Sequence, residues 1–297
     1  MTDITLLDGG MGQELVNRSG DTPTPLWGTQ VMFDHPGMVE AIHRDYFDAG
    51  ATIATTNTYA LHHDRLRGTP HEGRRDDLVA QALAEAKAAQ QNRPGTRIAG
   101  SIGPLIASYR PDIHPSHETA MPLYADLARL LAPSSDLLIL ETVSSTRHAR
   151  SALDGARQTG KPVWLAVTVD DEDGTRLRSG EPLADILPIA RTGAAALLAN
   201  CSAPEAMAAA LDVFAGANLP FGAYANGFTQ ITKDFLKDKP TVDALHARED
   251  LTPARYAEFA LSWADQGATI LGGCCETGPD HIRAIADRLR AEGHAIV

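Results

Sequence analysis

Eight short runs of apolar or β-branched residues recur along the chain, and segments with apolar residues at helical spacing separate them. This alternation predicts repeated βαβ units with parallel strands and right-handed crossovers. Eight units in 297 residues predict an α/β fold, a single (β/α)8 TIM barrel over residues 1–297. An open doubly wound sheet is the alternative. The predicted strands are Thr5 to Asp8, Ala51 to Thr56, Arg97 to Ser101, Leu137 to Glu141, Val163 to Val169, Ala195 to Asn200, Phe221 to Ala225 and Thr269 to Gly272.

Chemically active side chains cluster at the ends of these predicted strands. In a barrel the carboxyl ends of all strands meet on one face, where active sites are built. We therefore expect one site that gathers thiols, carboxylates and an amide. The residues are Asp8 after strand 1, Asn57 and Tyr59 after strand 2, Glu141 at strand 4, Cys201 after strand 6, Asn226 after strand 7, and Cys274 and Cys275 after strand 8.

Composition narrows the function classes. A formal net charge of -12 argues against a nucleic-acid partner, because phosphate binding needs concentrated Lys and Arg. The N-terminal residues lack the pattern of a signal peptide, and no apolar run reaches the roughly 18 residues of a membrane span. We expect a cytoplasmic enzyme that acts on small molecules, with no membrane partner and a possible homo-oligomer.

The three cysteines could be core filler, a redox pair or metal ligands. Neighbouring cysteines such as Cys274 and Cys275 make a poor disulfide, and no C-x-x-C spacing is present. All three thiols instead follow strands 6 and 8, on the face where a barrel builds its site. Three thiolates with an open fourth position are typical of a catalytic Zn²⁺ site, since structural zinc takes four protein ligands.

Helix starts follow the cysteines and favour their ionisation. Residues 202–205 after Cys201 read as a capping box with Pro204 just inside a helix, and Pro279 opens a similar helix after Cys275. The partial positive charge at a helix start favours thiolate. A zinc tripod of thiolates suits another thiolate as its fourth ligand. The residues thus indicate an enzyme that presents a thiol substrate as a nucleophile.

Motifs along nearly the whole chain resemble those of the zinc-dependent homocysteine S-methyltransferases, which include S-methylmethionine and betaine enzymes. The resemblance implies that Cys201, Cys274 and Cys275 hold zinc and that the homocysteine thiolate takes the open position. The motifs are Asp8-Gly-Gly-Met-Gly, Ser101-Ile-Gly-Pro104, Glu141-Thr142, Leu177-Arg-Ser-Gly-Glu181, Asn200-Cys-Ser-Ala-Pro-Glu205, Tyr224-Ala-Asn226 and Gly272-Gly-Cys-Cys-Glu-Thr-Gly-Pro-Asp-His-Ile282.

The same resemblance assigns the remaining substrate contacts. It implies that Asp8 and Glu141 meet the homocysteine ammonium, a charge-assisted hydrogen bond. It also implies that backbone amides near Ser101 and in the turn after strand 1 hold the carboxylate, and that Asn226 lies beside the zinc.

The methyl donor must be a cation that loses its charge on transfer, and aromatic faces stabilise such onium ions. Trp27 and Tyr59 match aromatic residues of the family's donor side, although packing at the barrel rim is an alternative role for them. Thr142 stands where betaine enzymes have a tyrosine, and the chain after His281 is short. These features favour S-methylmethionine, then S-adenosylmethionine, as the donor that converts homocysteine to methionine.

Two alternatives remain open at this point. One is a betaine:homocysteine methyltransferase. The other is a non-catalytic zinc- and thiol-binding subunit of a multi-protein corrinoid methyl-transfer system.

Overall fold

The computed structural model describes residues 2–22, 24, 26, 28–228 and 247–297. Its strands form one parallel sheet in the order β2-β3-β4-β5-β6-β7-β8-β1-β9. The strands are β1 (Asp3–Leu6), β2 (Ile53–Thr55), β3 (Arg97–Ile102), β4 (Leu137–Val143), β5 (Val163–Val167), β6 (Ala196–Asn200), β7 (Phe221–Ala225), β8 (Ile270–Gly273) and β9 (Ala295–Ile296).

The sheet curls until its two ends meet. Strand β1 pairs with β8 through Thr5 and Leu6, and an isolated parallel bridge joins Leu7 to Ile53 at the start of β2. The structure thus confirms eight parallel strands in a barrel-like sheet, as the alternating pattern predicts. Strand β9, which pairs with β1 beside Asp3 and Ile4, was not predicted, because two residues carry too little pattern.

Helices cover the outer surface of the sheet. Between β1 and β2 the described chain forms three helices. The helices are α1 (Met11–Ser19), α2 (Gly28–Asp34), α3 (Met38–Ala49), α4 (His63–Leu66), α5 (Arg75–Gln90), α6 (His117–Leu131), α7 (Thr146–Ala156), α8 (Ile186–Ala190), α9 (Pro204–Phe214), α10 (Pro253–Asp265) and α11 (Pro279–Ala291). Within the ranges described, no helix is long and apolar enough to span a membrane.

Alternation along the strands divides the core into two layers. Side chains that point inward form a compact cluster with Leu137, Ile139 and Ile270. The residues between them, such as Leu138 and Leu140, pack beneath the helices in a larger cluster. Because strand side chains alternate with period two, the inward row 137, 139 continues to Glu141. The row that starts at Ile270 continues in the same way to Cys274.

Candidate active site

Three thiols meet where β6 and β8 end. The Sγ atoms of Cys201 and Cys274 are 2.7 Å apart, and the Cys275 thiol hydrogen-bonds with both residues. All three cysteines are free. The sequence predicted this convergence from the alternate positions of strands 6 and 8 in a barrel.

The three thiols differ in the direction in which their pKa values are shifted. Hydrogen bonds from Cys274, then from Cys275, lower the pKa of Cys201 well below its usual range and outweigh the opposing effect of burial. The side chains of Thr142 and Asn200 also donate to this sulfur, at 3.3 and 3.4 Å. The pKa values of Cys274 and Cys275 are raised instead, because both donate their protons to Cys201.

The helix starts behind the cysteines are where the sequence placed them. Helices α9 and α11 begin at Pro204 and Pro279. The predicted capping box is wrong: Ser202 Oγ accepts from the Val169 amide and donates to carbonyl groups, so it does not cap α9. The neighbouring thiols are therefore the chief cause of the lowered pKa of Cys201.

Strained backbone surrounds the thiols. Thr142, Cys201 and Tyr109 are non-glycine residues with φ values of 57°, 50° and 60°. At Thr142 the pairing of β4 with β5 shifts register, and the Thr142 amide donates to Asn200 Oδ1 at 3.0 Å. Left-handed residues of this kind are costly and concentrate at functional sites. The bulge places Glu141 and Thr142 on the side of the cavity that holds the thiols.

Two glycines let the turn after β1 touch the turn that carries Cys274. The Gly10 amide donates to the Thr277 carbonyl at 2.9 Å, and the Thr277 hydroxyl donates to the Cys274 carbonyl at 2.6 Å. A Cβ on Gly9 would lie 2.1 Å from the Thr277 carbonyl oxygen, a backbone atom that cannot yield without moving the turn. Glycine is required there for close approach.

Gly9→Ala is expected to destabilise the fold by about 1–3 kcal/mol, because the new methyl group forces the two turns apart. Thermal unfolding with and without added zinc measures the loss. Gly216→Ala is the matched control, since its Cβ would meet no atom closer than 3.7 Å. Equal melting temperatures for both variants would contradict the close-approach argument.

The two predicted carboxylates lie on the same cavity as the thiols. Asp8 Oδ2 accepts the Thr55 amide at 2.7 Å, and the hydroxyl of Tyr224 donates to Glu141 Oε1 at 3.0 Å. A short hydrogen bond from the Ser101 hydroxyl holds the other oxygen of Glu141. Both carboxylates are almost completely buried and no Lys or Arg of the described chain pairs with either, so a cationic group of a ligand would complete them.

Burial sets the protonation of this pair. It raises the pKa of Asp8 to about 8, against the hydrogen bonds from Thr55, and the charge of Glu141 adds to the effect. Burial likewise raises the pKa of Glu141 to about 7, opposed by the bond from Ser101. In the free protein both carboxyls are therefore largely protonated below pH 7 and become anionic as the pH rises.

Binding of an amino-acid ammonium is expected to tighten by at least about tenfold between pH 6 and pH 8. The ammonium needs anionic partners, and a carboxyl with a pKa near 7 goes from about one-tenth to nine-tenths ionised over that interval. Calorimetric titration with L-methionine, which has the ammonium but no thiol, checks this. A flat pH profile would show that these carboxylates do not bind the ammonium.

Tyrosines and an arginine form another wall of the cavity, which encloses about 140 Å³. The hydroxyl of Tyr59 lies 2.7 Å from Ser108 Oγ, and the guanidinium carbon of Arg65 lies 5.6 Å from the centre of the Tyr59 ring. Tyr109 also lines the cavity and hydrogen-bonds to Cys201. Tyr59 thus lines the same cavity as the three thiols.

Three further predicted residues have different environments. Ser101 lines the cavity, but its own amide donates to Thr56 Oγ1 at 3.0 Å, so Ser101 supports Glu141 through its hydroxyl. Asn226 lies at the end of β7 with its Oδ1 accepting the Phe228 amide at 3.3 Å, outside the cavity lining. Trp27 lies outside the described residues, and its role stays a prediction.

Several site residues were not predicted from sequence. Tyr224 belongs to the inward row of β7, and alternation along that strand could have found it. Tyr109 lies in an irregular loop with no periodic signal. His43 is completely buried on α3, with Nδ1 3.8 Å from Asp8 Oδ2 and with no hydrogen-bond partner among the described residues. Burial lowers the pKa of His43 to about 3 and keeps the ring neutral.

Comparison with known proteins identifies the family. A family model described as homocysteine S-methyltransferase matches residues 5–289. The chain belongs to the homocysteine S-methyltransferase family. The resemblance drawn from the sequence motifs is thereby confirmed, and so is the expectation that the protein is an enzyme of this class.

Individual relatives show how much of the chain the similarity covers. The enzyme of Escherichia coli K12 is 31% identical over 310 residues, which span 96% of this chain and 95% of that protein. The selenocysteine methyltransferase of Astragalus bisulcatus is 26% identical over 94% of this chain and 90% of its own length. The metallated form of the homocysteine methyltransferase MmuM from Escherichia coli superposes with a TM-score of 0.79 at 26% identity, covering 97% of this chain and 96% of MmuM.

Proposed function

We propose that this chain is a zinc-dependent homocysteine S-methyltransferase that transfers a methyl group from S-methylmethionine to L-homocysteine and forms methionine. S-adenosylmethionine is proposed as a secondary donor. The observation that carries the proposal is a cavity lined by three thiols and by two buried carboxylates with which no Lys or Arg of the described residues pairs. Sulfur ligands for a metal and carboxylates for an ammonium group thus line one small cavity. Homocysteine, an amino acid with a thiol side chain, requires both.

The donor set fits zinc by its chemistry. Among the described residues, no three His, Cys, Asp or Glu side chains stand at the spacing of an assembled metal site, because the thiols hydrogen-bond to one another. Zinc prefers Cys thiolates, and the Cys201 and Cys274 sulfurs, 2.7 Å apart, would have to separate in order to share a metal. Thiolate affinity and a relative crystallised in a metallated form support the assignment of Cys201, Cys274 and Cys275 as ligands.

Zinc, when bound, stabilises the homocysteine sulfur as a thiolate near neutral pH. The protein's own residues then orient the amino acid. Asp8 and Glu141 accept hydrogen bonds from its ammonium, while Thr55, Ser101 and Tyr224 fix the directions of the two carboxylates. Backbone amides near Ser101 and in the turn after β1 are proposed to hold the carboxylate, and Asn226 is proposed as a neighbour of the metal.

The chemical step is an in-line displacement at carbon. The homocysteine sulfur forms a bond to the methyl carbon while the bond from that carbon to the donor sulfonium breaks. The electron pair of the broken bond stays on the donor sulfur, so S-methylmethionine and homocysteine give two molecules of methionine. Charge disappears in this step, and the faces of Tyr59 and Trp27 are proposed to stabilise the cation without competing as nucleophiles.

The direct test combines zinc analysis with a donor comparison. Protein purified under reducing conditions is expected to contain about one zinc per chain and to form methionine from homocysteine with S-methylmethionine faster than with S-adenosylmethionine or betaine. Activity with betaine alone would assign the betaine alternative. Zinc without activity from any free donor would sink the proposal and favour a thiol-binding subunit of a corrinoid system.

The wider organisation follows from the same proposal. Residues 1–297 are proposed to act as one homocysteine-binding barrel domain with catalytic zinc at the carboxyl ends of its strands. We place the enzyme in the cytoplasm, where reducing conditions keep its three thiols free. Its partners are proposed to be small molecules and possible copies of the same chain, with no nucleic acid or membrane.

A further inference from the structure

Arg65 is the one Lys, Arg or His side chain among the described residues that line the cavity. The remaining titratable groups of the lining are carboxylates, thiols and tyrosines. A cationic donor gains from anions and aromatic faces, so a guanidinium in the same space opposes its binding by charge alone. The position of Arg65 therefore calls for an anionic partner in this cavity.

The contacts of Arg65 leave part of its hydrogen-bonding capacity unused. Nε donates to the Pro104 carbonyl at 3.1 Å and Nη2 donates to Ser108 Oγ at 3.0 Å. Nη1 donates to no atom of the described residues, and no Asp or Glu within those ranges forms an ion pair with this guanidinium. A guanidinium carries five N–H donors in a planar fork that matches a carboxylate.

The location of Arg65 distinguishes the two substrates. The guanidinium packs against Tyr59, the proposed donor aromatic, and shares Ser108 with the Tyr59 hydroxyl. Asp8 and Glu141, the proposed ammonium partners of homocysteine, stand instead in the turn after β1 and on β4.

We propose that Arg65 binds the carboxylate of the methyl donor and restricts the enzyme to zwitterionic onium carboxylates. This inference rests on the proposed methyl transfer and specifies the class of its donor. A zwitterion places its cation near Tyr59 and its anion on Arg65. A simple onium ion meets only the repulsion of Arg65, so one residue both attracts the correct donor and discriminates against the wrong one.

The experiment compares two ligands that differ in the carboxylate. Calorimetric binding of S-methylmethionine and of trimethylsulfonium is measured for the wild-type protein, Arg65→Gln and Arg65→Lys. Arg67→Gln is the matched control, because Arg67 is an exposed arginine two residues away that does not line the cavity. Zinc content and melting temperature verify that each variant is folded.

Arg65→Gln is expected to weaken S-methylmethionine binding by about 10- to 100-fold, the range for a lost hydrogen bond between charged groups. Binding of trimethylsulfonium should stay the same or strengthen, Arg65→Lys should recover part of the loss, and the KM for homocysteine should not change. Equal losses for both ligands would show that Arg65 only clamps the loop at Pro104 and Ser108. A selective rise in the KM for homocysteine would assign Arg65 to the other substrate, and either result overturns the proposal.

The proposed reaction fails in a different way. Wild-type protein that binds S-methylmethionine but transfers no methyl group to homocysteine would refute the methyl transfer, while the comparison of ligands would still decide the role of Arg65. Wild-type protein that binds both ligands equally well would refute the role of Arg65 and leave the methyl transfer intact.

Discussion

Cys274→Ala is expected to lose bound zinc and to lower methyl transfer to homocysteine by about 10³-fold or more, because the proposed zinc would generate the reactive thiolate. The thiol of Cys274 lies 2.7 Å from that of Cys201 and gives the largest contribution to its lowered pKa. Removing Cys274 therefore takes away one proposed ligand and raises the pKa of another. The remaining two sulfurs are too few to retain the metal through dialysis.

Zinc stoichiometry after dialysis against a weak chelator measures this effect, and a single-turnover assay measures the transfer. Glu276→Gln is the matched control, since it changes a neighbouring side chain but removes no thiol. Circular dichroism separates metal loss from unfolding. A Cys274→Ala protein that keeps zinc and activity would show that the metal has other ligands.

Glu141→Gln is expected to raise the KM for homocysteine by about 100-fold and to leave zinc bound. The variant keeps the size of the side chain but loses the charge that pairs with the ammonium. The substitution also replaces one accepting oxygen with an N–H donor. Because Ser101 and Tyr224 both donate to the Glu141 carboxylate, the new amide N–H faces another donor.

Glu85→Gln provides the control for a buried carboxylate, because Glu85 and Glu141 are both 9% exposed and Glu85 lies on α5, outside the cavity lining. Its KM should match that of the wild-type enzyme. The KM for the methyl donor should stay constant in both variants. A change confined to the donor would show that Glu141 serves the other substrate.

The sequence predicted those features that depend on local pattern. The buried strand at Leu137 follows from its run of apolar residues, and the ends of the predicted strands placed Asp8 and Cys201 on one face. The helix cap was predicted wrongly. Ser202 does not cap α9, because its hydroxyl is hydrogen-bonded to Val169 in the loop after β5.

Residues that reach the cavity from irregular loops could not be predicted. Tyr109 depends on a left-handed backbone, and Arg65 depends on a four-residue helix whose orientation is set by contacts with Pro104 and Ser108. Such placements arise from tertiary contacts between distant segments and leave no periodic trace. His43 presents the same problem, since an isolated histidine on an apolar helix face does not indicate the carboxylate beside it.

The junction between β1 and β2 closes the curled sheet, and substrate binding is expected to stabilise this junction. The Leu7 to Ile53 bridge joins these strands, and two residues further along β2 the Thr55 amide donates to the Asp8 side chain. Asp8 thus links the two strands through its hydrogen bond and is also the proposed partner of the substrate ammonium. Occupancy of the site should slow hydrogen exchange at Thr55 and tie the rigidity of the whole ring to the presence of its amino acid.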